Sequence, residues 1–209
     1  MFPDFPLKYS SKSGFFFWGI IDEPVTTLSD KLIKPKPSEF QIIRSSEILE
    51  IPCIINGEEI FTGDVVEQVM PHDHGHVIAR VHMAGKKEIK AAIDTALEAH
   101  TMWSTMPWQA RAAIFLKASE LLAGSRRAEI NASTMINQSK TCHQAEIDSA
   151  CELIDFWRFN ADYCRQIYED LQPPVSPSLM WNSSEVRPLE GFVFSVTPFN
   201  FSSIAANLP

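Results

Sequence analysis

Apolar and polar positions divide the chain into a strand-like front and a helical middle. Between Cys53 and Phe61, two apolar-containing runs flank Asn56-Gly57. That pair is a strong signal for a two-residue hairpin, because both turn positions need positive φ. Two further strand-like runs, Val65–Met70 and His76–His82, are separated by Pro71–Gly75, so a small antiparallel sheet is expected. From Lys86 the period lengthens: Ile89, Ile93, Ala96, Leu97 and His100 recur three and four apart, predicting a helix over Lys86–Trp103 with one buried face. Pro107 suits a first helical turn, and Gly124 follows Ile114, Leu121 and Leu122 as the end of a second helix. Ser125–Asn137 reads as a third.

The longest helical pattern runs from Gln144 to about Asp170, with Ile147, Cys151, Ile154, Ala161, Cys164 and Tyr168 on one side. A second stripe, Glu152, Phe156, Phe159 and Tyr163, puts an acidic group on one face with three aromatic rings. A helix apolar on two sides is expected to be sandwiched. The proline-rich Gln172–Pro177 ends it. The chain then closes on Gly191–Pro209, an apolar strand-like run Phe192–Val196 that meets Thr197-Pro198-Phe199-Asn200 and a short helical pattern. In open α/β sheets such a strand-to-helix turn is where ligands bind. Residues 1–50, by contrast, lack steady periodicity, and the prolines of Lys34–Ser38 disfavour a helix through them, so an extended or poorly ordered arm is expected.

Composition narrows the function classes. With 209 residues, 45% of them hydrophobic, the chain has material for a core. Its 26 acidic against 18 basic side chains give a formal net charge of −8, with no basic stripe, so nucleic acid is not an expected partner. The longest apolar run, Gly14–Ile21, falls far short of the roughly 20 residues that span a bilayer, and no membrane association is expected. Cys53, Cys142, Cys151 and Cys164 show no C-x-x-C spacing and read as reduced, structural thiols. No two of the eight glycines are spaced G-x-G, which removes both the dinucleotide fingerprint and the phosphate loop.

Three places carry candidate chemistry. His72, Asp73, His74 and His76 have ligand types suited to a metal, yet they sit in a short inter-strand segment with no distant partner group; the expectation is a polar turn and no metal. Glu152 reads either as a solvated helix carboxylate or as the head of an aromatic pocket that pairs with a cation, such as the ammonium of an amino-acid-like substrate. Asn200 reads either as a helix cap or as an amide donor to a developing oxyanion, a role worth ~3 kcal/mol in comparable sites. No Ser/His/Asp or Cys/His arrangement supplies a nucleophile opposite it.

Gly191–Phe201 resembles the segment that carries the P-[WF]-N motif of the aldehyde dehydrogenase superfamily. Its Phe199-Asn200-Phe201 form is similar to the Δ1-pyrroline-5-carboxylate dehydrogenases, also called L-glutamate γ-semialdehyde dehydrogenases. Pro71–His76, Arg126–Ile130, Lys140-Thr141, Gln144–Asp148, Glu152–Phe156, Arg158–Ala161 and Leu189–Phe192 resemble that subfamily in the same order. The likeness covers residues 51–209. It implies an α/β fold: the N-terminal part of the aldehyde dehydrogenase fold, incomplete, with small antiparallel strands, several helices and the first strand of the NAD-binding sheet.

The resemblance also implies roles. Asn200 would stabilise the oxyanion formed when the catalytic cysteine attacks, Thr197, Pro198 and Phe199 would contact NAD, Phe201 would border the aldehyde pocket, and Glu152 would face the amino-acid end of the substrate. The reaction implied is NAD-dependent oxidation of L-glutamate γ-semialdehyde to glutamate in proline catabolism, in the mitochondrial matrix, by an enzyme that is a homo-oligomer when full length. The chain departs from the family in two ways. It has Lys34-Pro35-Lys36-Pro37 where family members carry an N-terminal helix, and it lacks the segments bearing the nucleophilic cysteine, the general-base glutamate and the oligomerisation elements. None of its four cysteines matches the nucleophile. The expectation is an N-terminal portion that is inactive alone; the alternative is a non-catalytic product that binds or interferes with the full-length enzyme.

Overall fold

The computed structural model of the chain describes residues 48–173 and 175–207. Residues 1–47, which hold nearly all of the expected N-terminal arm, lie outside the described residues. The described fold opens with the strands β1 (Leu49–Ile51), β2 (Cys53–Ile55), β3 (Glu58–Ile60), β4 (Val65–Met70) and β5 (Asp73–His82). Asn56 and Gly57 adopt φ of 55° and 74°, so β2 folds back on β3 as the antiparallel hairpin that their sequence favours. In the second sheet, β5 lies between β4, antiparallel, and β1, parallel. The β4 to β5 connection is only Pro71-His72, tighter than the sequence suggests. Asp73 already faces Met70 across the ladder, with irregular register over Gln68–Met70. His74 and His76 therefore belong to a strand, and Met70, fully buried, anchors the end of its partner.

Helix α1 (Lys86–Thr105) starts at Gly85, whose N–H donates to Glu88 Oε2 at 3.0 Å. Its predicted buried face is not buried: Ile89 is 52% and Leu97 45% exposed. The periodicity correctly marks an amphipathic helix, but burial needs an element laid over the stripe, and among the described residues α1 packs mainly beside β2. Helix α2 (Trp108–Ala123) follows Pro107, and Gly124 closes it with its N–H on the Glu120 carbonyl. The core forms where α2 crosses the long C-terminal helix. Ala118 and Leu122 meet Ala150, Leu153, Ile154 and Trp157, with Phe115, Ile130 and Ile204 packed at the margin.

The long predicted helix is three pieces. After α3 (Arg127–Gln138) come the single-turn α4 (Cys142–Ala145), a π-helical stretch Glu146–Cys151, and α5 (Glu152–Glu169). The widened π turn shifts the phase, so the buried side of α5 is Leu153, Ile154 and Trp157, while Ile147 is 40% exposed. The aromatic stripe is not sandwiched: Phe156, Phe159 and Tyr163 are all exposed. The run Phe192–Val196 joins no ladder among the described residues. A strand needs a neighbour for its backbone groups, and both described sheets are built from earlier segments. A short 3-10 turn, Ile204–Asn207, ends the described chain.

Candidate active site

The α3–α4 junction forms the frame of the site. Ser139 takes φ of 54°, a left-handed reversal that ends α3, and its hydroxyl lies 2.7 Å from His72 Nδ1. Two residues on, Thr141 caps α4: its Oγ1 accepts from the Gln144 N–H, and Gln144 Oε1 accepts from the Thr141 N–H at 2.9 Å. Between these two backbone decisions stands Lys140. Its ammonium donates to Asp148 Oδ2 and to the Asn200 carbonyl, both at 2.7 Å, and lies 4.5 Å from the centre of the Phe201 ring. One residue before the reversal, Gln138 Nε2 donates to the Phe199 carbonyl at 3.1 Å. The turn Phe199-Asn200 is thus held from the α3 end by two main-chain acceptors.

Past the turn, a chain of hydroxyls ties the segment down. Thr134 Oγ1 and Ser202 Oγ are 2.6 Å apart, Ser149 Oγ donates to Thr134 Oγ1 at 2.6 Å, and Ser203 Oγ donates to the Ser149 carbonyl at 2.6 Å. A π turn alters the usual i to i−4 pairing of a helix, and the Ser149 carbonyl gains its acceptance from Ser203. Beneath lies an ionic group: Glu146 accepts from Arg127 and, at 2.5 Å, from Asn131 Nδ2, and Arg127 also reaches Cys151 Sγ at 3.3 Å. Burial alone would raise the Glu146 carboxyl, but the Arg127 and Asn131 hydrogen bonds outweigh it and hold it below the ordinary value. Burial and the neighbouring Glu146 push the Cys151 thiol up, so it is a protonated structural thiol and a poor nucleophile. Burial likewise raises Cys53.

Of the sequence-predicted residues, Thr197, Pro198, Phe199 and Asn200 are exposed, Phe199 at 95%, and Phe201 is half-buried beneath Lys140. Asn200 is exposed, and Lys140 engages its carbonyl oxygen. Glu152 is half-buried at the first residue of α5, three residues beyond Ser149 in the same π-to-α stretch that receives Ser203. Phe159 and Tyr163 stack beyond it, with centroids 6.3 Å apart. His72 is paired with Ser139, and among the described residues no group of three or more His, Cys, Asp or Glu is placed to hold a metal. Nor, among the described residues, is any helix long and apolar enough to cross a membrane.

Residues 61–207, which include all of these side chains except Cys53, match the model of the aldehyde dehydrogenase family. The chain belongs to the aldehyde dehydrogenase family. It is 48% identical over 160 residues to the Δ1-pyrroline-5-carboxylate dehydrogenase of Agaricus bisporus, covering 77% of this chain and 29% of that protein. Against the mitochondrial Δ1-pyrroline-5-carboxylate dehydrogenase of Homo sapiens the identity is 49% over 158 residues, 76% of this chain and 28% of that protein. The crystal structure of the Mycobacterium tuberculosis enzyme bound with NAD superposes with a TM-score of 0.79 at 41% identity, over 91% of this chain and 37% of that one. The chain thus spans less than a third of the length of these curated relatives. Its mixed α/β architecture is the N-terminal part of the aldehyde dehydrogenase fold.

The site residues that sequence reasoning missed are Thr134, Gln138, Ser149 and Ser203; Lys140 and Asp148 were visible only as parts of a resemblance, with no role. Each of these four is polar, and each acts through a partner far along the chain. The one local trace was the polar break Ser139–Thr141 between two helical patterns.

Proposed function

We propose that this chain supplies the oxyanion-binding turn and part of the substrate wall for NAD-dependent oxidation of L-glutamate γ-semialdehyde to glutamate, a step of proline catabolism. The observation that carries the reading is the exposed Asn200 turn, whose Phe199 and Asn200 carbonyls are bound by Gln138 and Lys140. A donor held in that way needs no reorganisation when charge develops on the aldehyde oxygen. Glu152 pairs with the substrate ammonium, and Phe201 borders the aldehyde chain.

The exposed Thr197–Phe199 segment fits a nucleotide in kind. It offers an exposed hydroxyl and an exposed apolar ring, and with no G-x-G in the chain a nucleotide must be held in some other way than by the dinucleotide fingerprint. NAD, when bound, supplies the hydride acceptor. By the family resemblance none of the four cysteines matches the nucleophile, and Cys151 is engaged by Arg127 and Glu146, so on this reading the thiolate and the general base come from polypeptide outside these 209 residues. On the same reading the complete polypeptide belongs to the mitochondrial matrix and forms a homo-oligomer; the names of the human and Dictyostelium discoideum relatives, which carry the word mitochondrial, support the organelle.

The test is NADH formation from glutamate γ-semialdehyde. The complete polypeptide turns over and the purified 209-residue chain does not; turnover by the short chain overturns the assignment of the nucleophile. A second reading, a non-catalytic product that associates with the complete enzyme, is favoured by one observation: Val193, Phe194 and Val196 stand 66%, 81% and 76% exposed. Co-purification of the short chain with the long one supports it, and their failure to associate removes it.

A further inference from the structure

We propose that Lys140 is a positioning residue for the oxyanion donor, a role that rests on the reading of Asn200 given above. Three contacts of different kinds converge on one ammonium: an ion pair to Asp148, a hydrogen bond to the Asn200 carbonyl, and the face of Phe201. The Lys140 side chain is only 17% exposed and that of Asp148 24%, so this is not a solvated surface pair. The geometry divides the labour. Asp148, fixed in the π turn, sets where the ammonium sits, and the ammonium fixes the Asn200 carbonyl and so the backbone that carries the amide. Its hold on Phe201 extends the control to the residue that borders the aldehyde, through the attraction of a cation for a ring face. Ser139 is the local device that aims it, since the left-handed reversal swings the chain out of the α3 axis one residue before Lys140.

A neutral apolar side chain at 140 would leave the Asn200 carbonyl and the Asp148 carboxylate without their shared donor, and the turn would be held from α3 by Gln138 alone. A misplacement of about 1 Å at a reacting centre costs up to ~100-fold in rate.

The experiment compares Lys140→Met, Lys140→Arg, Asp148→Asn and Asn200→Ala in the complete dehydrogenase polypeptide, reading kcat and KM, with hydrogen exchange at the amides of residues 199–203 as a second readout. Expected are a fall in kcat of about 10- to 100-fold for Lys140→Met with KM nearly unchanged, partial recovery in Lys140→Arg, and an intermediate fall in Asp148→Asn. Exchange at residues 199–203 should quicken in Lys140→Met while the α2–α5 core stays protected. Should Lys140→Met fail to fold, the Lys140→Arg and Asp148→Asn variants decide by the same kcat criterion. Wild-type kcat in the folded Lys140 and Asp148 variants, with Asn200→Ala impaired, overturns the role of Lys140 alone. Wild-type kcat in Asn200→Ala overturns the reading of Asn200 on which it rests.

Discussion

Ser149 Oγ donates to Thr134 Oγ1 at 2.6 Å between two side chains almost completely sealed from solvent. The pair joins the π turn to α3, and Ser202 and Ser203 extend it to the terminal segment, so the hydroxyl chain binds three otherwise separate pieces. Thr134→Val keeps shape but removes the shared oxygen, leaving buried partners unsatisfied at a cost of about 1–3 kcal/mol. Chemical denaturation should register that loss, and hydrogen exchange should place it at residues 199–205 as well as in α3.

Glu146 makes stability depend on acid. Its folded carboxyl is held below its ordinary value, so the stabilisation is fully present above the unfolded carboxylate range, about pH 4.3, and is lost as pH falls through the lowered folded value. Denaturation between about pH 7 and about pH 3 should therefore show the wild type losing stability on acidification more steeply than Glu146→Gln. At neutral pH, Glu146→Gln should be the less stable by about 1.5–3 kcal/mol, the range for hydrogen bonds to charged groups.

Leu153 is fully buried between α5 and α2. Leu153→Ala should cost about 2–5 kcal/mol, because the rigid Ala118, Leu122 and Ala150 surroundings collapse poorly into the space. Urea unfolding measures it. An equal loss on Leu97→Ala, whose side chain is 45% exposed in α1, would contradict the placement of the core.

The exposed Phe192–Val196 run makes the short chain prone to association through unpaired backbone and apolar side chains. Phe194→Asp should reduce the self-association of the 209-residue chain in light scattering while leaving its helix content unchanged by circular dichroism.

Much of this architecture was legible in the chain, and the exceptions have physical causes. Asn56-Gly57 announced a hairpin because its backbone demands are local, and Pro107 and Gly124 bracketed α2 for the same reason. Helix α1 was legible as a helix but not in its burial, since a 3.6-residue period records which face wants cover and not whether an element provides it. The π stretch was hidden because a widened turn leaves no compositional mark; it moved Leu153 and Trp157 into the core and Ile147 out of it. Asn200 and Glu152 stood out through a family resemblance. The residues that hold the turn, Lys140, Gln138, Thr134 and Ser149, pair across 54 to 68 positions or through one another, which no local pattern encodes.

The most direct measurement is kcat/KM of the complete polypeptide, wild type against Asn200→Ala and Glu152→Gln, for glutamate γ-semialdehyde and for pentanal, an aldehyde with no amino-acid end. An oxyanion donor acts on the aldehyde oxygen common to both, so Asn200→Ala should lower both values by about 100- to 1,000-fold. Glu152→Gln should lower only the value for glutamate γ-semialdehyde. If Asn200→Ala leaves both substrates at wild-type rates, the account of this turn is wrong.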